Sequence, residues 1–360
     1  MDEFVKLKPI ELPKISSNPL ISVIMPNYNY ADYIGEAIES VLNQTYKIWE
    51  LIICDDGSTD NSIEVIKDFC KRDTRIILII KKNGGHASAL NEAYKKAKGE
   101  IIAILDSDDV YFPEKLEKIV YNFCNNANSG FCIHRLLPVD INFNIINKPF
   151  PFSLAKGFVA KKAILNSGGN PNLPPSSGLS FRKEVTDKIF PLEEEFCSNA
   201  DGVLSELSQY ITEIKPINDT LAKFRYHSKN ISSKIEYPNE TILLKEIKNL
   251  KLRTLMNKKF VSKVYGENFS ISFDVTKRPE YQESYLALYI LTGKNKAKID
   301  KLNPSILLSG INNILRKSIW YFLLFLPKNF SVKLLRIWWS QLPYKRYFNF
   351  FSKYMHCFIL

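Results

Sequence analysis

No stretch of this chain is apolar for longer than eight residues: the longest runs from Ile319 to Leu326 and stops at Pro327. A helix that spans a bilayer needs ~20 such residues, so none is expected. The opening segment, MDEFVKLKPIELPK, has no apolar stretch either, and no secretory signal is expected. Cysteine is scarce, with Cys54, Cys70, Cys124, Cys132, Cys197 and Cys357 forming no C-x-x-C pair. That excludes a disulfide scaffold and suits reduced, buried thiols in a cytosolic protein. Four histidines without paired spacing argue against a zinc centre.

Acid is missing altogether from residue 301 onward, where nine Lys or Arg stand alone. The remaining 300 residues therefore hold 40 of the 49 basic side chains against all 38 acidic ones, so they are nearly neutral although the whole chain carries +11. The last sixty residues also hold 14 of the 45 aromatics and three of the four Trp. The chain reads as a balanced body with a basic, aromatic tail. Its 360 residues suggest about two domains.

In the first 125 residues, short apolar runs alternate with amphipathic segments. Leu20–Met25, Trp49–Cys54, Ile76–Ile80 and Ile101–Leu105 read as strands. Helices are predicted after Asp32 as cap, over Asn61–Cys70, through Leu90–Ala97 with Gly99 as the C-terminal cap, and after Pro113. This pattern predicts a doubly wound, mostly parallel sheet of α/β class, in which ligands bind beyond the carboxyl ends of the strands. The polar clusters of this half all fall at those ends. Further on, strands are predicted near Phe131–His134, Leu179–Phe181 and Leu221–Tyr226, with a helix over Ala200–Ile214. Beyond Glu240 the pattern is mostly helical.

Two of these strand ends are acidic: Asp55-Asp56, and Asp106 with Asp108 and Asp109. Such clusters repel unless a cation or a donor sits between them. Oxygen ligands favour Mg²⁺, Mn²⁺ or Ca²⁺. Asp-Gly and Asp-Ser are also plain turn formers, so either cluster alone has a structural explanation. The segment from Asp106 to Glu117 imitates a calcium loop in its acidic positions, but Tyr111 stands where Gly is needed and Pro113 interrupts it. No G-x-G-x-x-G follows the first strand, against a dinucleotide dehydrogenase.

The segments ISVIMPNYNYADYIGEAIESVLNQTYKIWELIICDDGSTDNS and NGGHASALNEAYKKAKGEIIAILDSDD resemble inverting glycosyltransferase family 2, of bacterial surface-glycan type, which has the GT-A fold. The resemblance is close over residues 20–125 and looser to about 233, through SSGLSFRKEV, Ala200-Asp201 and LAKFRYHSKNIS. It implies an N-terminal arm (1–19), a GT-A catalytic domain (20–235, with a nucleotide-sugar half at 20–125 and an acceptor half at 126–235) and a helical C-terminal region (236–360). Pro26, Asn27 and Tyr28 then line the base pocket, and Asp56 accepts the imide N–H of uracil. Asn83 and Gly84 bring backbone to the nucleotide. Asp106, Ser107 and Asp108 form the D-x-D, with Asp108 as direct metal ligand and Asp106 nearer the ribose or a metal-bound water. Asp201 is the implied catalytic base, with Glu193, Glu194 and Glu195 as fallback. Asp109, Arg225 and His227 are further candidates, Asp109 orienting the acidic loop and the others approaching the diphosphate. Sugar-selecting contacts are expected around Pro174-Pro175-Ser176-Ser177. The implied cofactor is Mn²⁺ or Mg²⁺, the donor a UDP- or dTDP-sugar, and the acceptor a glycan or lipid-linked hydroxyl.

In the tail, Lys333, Arg336 and Ser340 share a helical face beside Leu334, Leu335, Ile337, Trp338 and Leu342. Arg346, Asn349, Lys353 and His356 do the same among aromatics. Basic faces opposite Trp and Phe suit helices lying in an anionic membrane interface; a helical subdomain packed internally or in a homo-oligomer is the alternative. A cytoplasmic enzyme, peripheral on the inner membrane, is expected. Two non-enzymatic classes compete with it: a receiver-like module, and a nucleic-acid binder resting on the basic tail.

Overall fold

The computed structural model describes residues 7–168, 172–194, 200–227, 239–266, 273–292, 320 and 322–340. The described residues fall into two compact units: those of 7–160 and 172–227 in one, and those of 161–168 and from 239 onward in the other.

The first unit is built on one eight-stranded sheet in the order β3-β2-β1-β4-β7-β6-β8-β5. Strands β1 (Ile21–Asn27), β2 (Trp49–Asp55), β3 (Ile76–Ile80) and β4 (Ile101–Ile104) run parallel, as the alternating sequence predicts. They are joined by helices α1 (Ala31–Leu42), α2 (Ser62–Arg72) and α3 (His86–Lys96), and α3 packs on β1 and β2. Ile21, Val23, Ile24, Leu51, Ile52, Ile53 and all of β4 are wholly buried. Each such side chain contributes roughly 1.5–3 kcal/mol relative to exposure, whereas a helix cap is worth about 1 kcal/mol. Strand burial therefore decides this half.

Two capping expectations are corrected. Asp32 is not the cap of α1: Tyr30 stands there, and Asp60 Oδ2 accepts the Ala31 amide at 3.0 Å. Gly99 does not cap α3, which ends at Lys96 with Ala97 as its cap. Its amide instead donates to Ser22 Oγ at 2.8 Å, and a Cβ there would lie 2.5 Å from the Ser22 backbone nitrogen. Glycine is required for that close approach.

Past β4 the sheet changes direction. After the two-residue β5 (Val110–Tyr111) and helix α4 (Lys115–Cys124) come β6 (Ser129–Val139), the short helix α5 (Ala160–Leu165) and β7 (Leu179–Arg182). Helix α6 (Lys183–Thr186), helix α7 (Ala200–Ile211) and β8 (Glu213–Arg225) follow. β7 is antiparallel to β4 and to β6, while β6 and β8 are parallel. β6 and β8 are much longer than predicted. The helix expected to reach Ile214 ends at Ile211, because Thr212 Oγ1 accepts the Gly130 amide at 2.9 Å and Glu213 already pairs with Ser129. Cys54 and Cys132 are buried as expected and Cys70 is half-buried, but Cys124 ends α4 on the surface; Cys197 and Cys357 lie outside the described residues.

The second unit is helical where described: all but the first residue of α5, then α8 (Glu240–Tyr265), α9 (Pro279–Thr292) and α10 (Lys328–Ser340). Asn239 caps α8 by accepting the Ile242 amide at 2.9 Å. Leu243, Ile247, Tyr281, Tyr285, Trp320, Leu323 and Leu335 form its core. The polar face predicted at 346–356 lies outside the described residues. No described helix is long and apolar enough to cross a membrane.

Candidate active site

Four parallel strands end along one edge of the sheet, and each delivers one predicted cluster. β1 brings Pro26, Asn27 and Tyr28. Asn27 is buried and donates through Nδ2 to Asp55 Oδ2 at 2.7 Å, while Tyr28 leaves 45% of its surface exposed. At the end of β2 the two aspartates take different work. Asp55 accepts the Gly57 and Ser58 amides (3.1 and 2.8 Å) and the Ser58 hydroxyl (2.7 Å), fixing the turn.

Asp56 reaches across to the turn after β3. Its Oδ1 accepts from Lys81 Nζ at 2.7 Å and the Gly84 amide at 2.9 Å, and its Oδ2 accepts the Gly85 amide at 2.7 Å. Gly85, with φ 89°, occupies the left-handed region and opens α3. Asp56 thus pins the Gly84-Gly85 turn while Oδ2 keeps room for a second donor. Asn83 is exposed on this turn.

Farther along α3, Asn91 forms a buried pair of hydrogen bonds with the Leu192 backbone, Nδ2 to O at 2.9 Å and Oδ1 from N at 2.8 Å. Tyr94 stacks on Phe190 with ring centroids 4.0 Å apart. The segment that leads to α7 is held against α3 in this way. Asp201 lies in the first turn of α7, and its charge is felt by both Asp106 and His86. Burial pushes the His86 imidazole below its ordinary pKa against the pull of Asp201, Asp108 and Asp56. Of the fallback acids, Glu193 and Glu194 are exposed, and Glu195 lies outside the described residues.

β4 ends in the acidic cluster. Single carboxylate oxygens of Asp106, Asp108 and Asp109 lie within 4.8 Å of one another. Ser107 does not face them: it is buried, and its hydroxyl donates to the Pro26 carbonyl at 2.6 Å. Ser177 Oγ accepts the Asp106 amide at 3.1 Å, and the buried Lys115 donates to the Ser177 carbonyl at 2.7 Å. The polar loop at 174–177 therefore supports the acidic one.

The end of β8 completes the arrangement. The Arg225 amide donates to Asp109 Oδ1 at 3.0 Å, and its guanidinium meets Glu36 at 2.5 Å. His227 Nε2 lies 3.0 Å from Asp108 Oδ2, with its ring stacked on Tyr33 at 4.3 Å. Arg225 and His227 were candidates for the diphosphate; here they touch the acidic loop itself. Tyr33, Glu36 and Lys81 escaped the sequence reading as contacts of this site, and Ser177, expected there only among sugar-selecting residues, contacts Asp106. Lys81 had a signal, standing where β3 ends. The others did not, because their partners are remote in sequence.

The residues 22–190 match the model of Glycosyl transferase family 2. The chain carries a glycosyltransferase family 2 domain. It is 38% identical over 212 residues to an uncharacterized glycosyltransferase of Nostoc sp., covering 58% of this chain and 66% of that protein. It is 46% identical over 129 residues to a hyaluronan synthase of Pasteurella multocida, 36% of this chain and 13% of that one. The chain thus spans at most about two thirds of the length of these relatives. Among solved structures, residues 1–349 of S. aureus TarS in complex with UDP-GlcNAc superimpose with a TM-score of 0.53 at 17% identity, covering 91% of each chain. That similarity places the sheet and its helices in the GT-A fold expected from the sequence.

The donor set of this domain fits a hard divalent cation. Burial, then the charges of Asp109, Asp108 and Asp201, raise the Asp106 carboxyl well above its ordinary pKa. Burial and Asp108 do the same to Asp109, against the pull of Ser177 and Arg225. A raised carboxyl pKa means that the unfolded chain binds fewer protons than the native one, so native stability falls as pH rises through the carboxylate range. A bound cation removes that cost. The rise in melting temperature caused by Mn²⁺ or Mg²⁺ is therefore expected to grow as pH rises above the ordinary carboxylate range; a pH-independent rise in thermal scans contradicts it.

Proposed function

We propose that the protein is a metal-dependent, inverting glycosyltransferase that moves a sugar from a nucleotide-sugar donor to a hydroxyl of a glycan or lipid-linked acceptor. A UDP-sugar is the favoured donor and a dTDP-sugar the next. The observation that carries this reading is the convergence of Asp106, Asp108 and Asp109 with His227 against them at the carboxyl edge of the sheet. Tyr28 offers an exposed ring to the base, and Asp56 Oδ2 an acceptor for the imide N–H of uracil or thymine. Pro26, Asn27, Asn83 and Gly84 border that pocket.

Asp108 and Asp106 would hold Mn²⁺ or Mg²⁺, with the His227 imidazole as a further ligand. When bound, the cation supplies charge to balance the departing diphosphate. Asp109 and Arg225 steady the acidic loop through the backbone bond between them. Asp201 takes the proton of the acceptor hydroxyl as general base, and a single in-line displacement inverts the anomeric carbon. The hyaluronan synthase among the relatives supports a bacterial surface polysaccharide as product class. The acid-free, aromatic sequence from residue 301 onward supports a peripheral seat on the anionic cytoplasmic face of the inner membrane; a homo-oligomer interface is its competitor.

A screen of nucleotide release from UDP-, dTDP- and GDP-sugars with Mn²⁺ or Mg²⁺ tests the proposal. UDP-GlcNAc, named for the TarS complex, is the first donor to try. Metal-dependent release is expected from UDP-sugars first. A receiver-like module or a nucleic-acid binder would release nothing from any donor.

A further inference from the structure

The corner between the helical residues 322–325 and α10 has two unlike sides. Inward, Trp320, Leu323, Ser331 and Leu335 are buried. Ser331 fastens the corner: its hydroxyl donates to the Leu323 carbonyl at 2.7 Å, and its amide donates to the Pro327 carbonyl at 3.1 Å. Outward, Phe322, Phe325 and Phe330 are 59%, 85% and 65% exposed. Pro327, Lys328, Asn329 and Lys333 are exposed as well. Phe330 and Lys333, three apart on α10, share a helix face.

One exposed Phe needs no explanation, but three within nine residues do. The corner is already fastened and its inward side filled, so the outward rings add nothing to the core of this unit. Charge selects what they meet. A two-fold contact with a second copy would set the same patch against itself, Lys against Lys, and no acid lies between residues 301 and 360 to relieve it. An anionic lipid surface accepts both features, since aromatic rings seat at headgroup depth and Lys finds phosphate there.

We infer that Phe322, Phe325 and Phe330 insert into the headgroup boundary of an anionic bilayer, with Lys328 and Lys333 lying against lipid phosphates. This rests on the membrane seat proposed above and gives it its residues. The attachment is interfacial, of the kind made by amphipathic helices that lie on a membrane without crossing it.

Flotation of the full chain with vesicles of phosphatidylcholine, alone or mixed with phosphatidylglycerol, tests the assignment. The wild type is expected to float with the mixed vesicles. F322S/F325S/F330S should weaken that binding by roughly a hundredfold, and K328E/K333E should abolish the preference for phosphatidylglycerol. Nucleotide release from a UDP-sugar without vesicles should persist in both variants. If the triple variant loses release as well, F325S, at the most exposed of the three positions, replaces it. No flotation of the wild type, or undiminished flotation of the Phe variants, overturns the proposal. So does a light-scattering mass that falls from dimer to monomer in the triple variant while flotation holds. The release assay reads the transferase proposal separately, so the two can fail independently.

Discussion

Asp201→Asn is expected to lower the rate of sugar transfer by ~10²–10⁴-fold, the span a general base contributes, while donor affinity stays within about twofold of wild type. The asparagine keeps the shape and the position in the first turn of α7 but cannot take a proton. Donor affinity is spared because the groups assigned to the nucleotide and the cation, from Tyr28 and Asp56 to Asp108 and His227, all lie on other elements. Pre-steady-state transfer to an acceptor, beside calorimetric titration of the nucleotide-sugar, separates the two quantities. Equal turnover in the variant removes Asp201 from the role and returns Glu193 and Glu194 to consideration.

Asp108→Ala should act earlier in the cycle. It removes a carboxylate that is both a member of the acidic cluster and the partner of His227. The variant should lose metal-dependent donor binding and reduce turnover by ~10²–10³-fold, the size expected when one stabilising contact to developing charge is lost. Excess Mn²⁺ should recover little of it. His227→Ala should weaken metal affinity in the same direction and by less, because the three carboxylates remain. Titration of the apo protein with Mn²⁺, followed by nucleotide release, measures both. Wild-type activity that survives exhaustive chelation would contradict the assignment of the cluster.

The parallel half of the sheet was legible because each of its strands is a short apolar run bounded by turn residues, and consecutive strands lie close in space. The other half was not, for physical reasons that can be named. β8 begins with Glu213-Ile214-Lys215-Pro216, a polar stretch made into a strand by its pairing with β6. β5 is two residues long and exists through its contact with β8. The acidic cluster and the glycine turn were visible as motifs, and His227 as a strand-end residue. That His227 meets Asp108 is a tertiary fact linking positions 119 residues apart, with no local pattern to announce it. The same holds for Ser177 beneath Asp106. Spacing finds groups that share a strand end; it does not find the groups brought to them by the return of the chain.

The double hydrogen bond between Asn91 and Leu192 has a mechanical consequence. Helix α3 is eleven residues long; Asp56 accepts the amide of its N-terminal cap Gly85, and Leu192 bonds its middle through Asn91. On the proposed function, a donor that moved the glycine turn would therefore pull on the helix that also holds Leu192. A residue inserted between Gly85 and Asn91 would turn Asn91 by about 100° around the helix axis and release Leu192 without touching the turn.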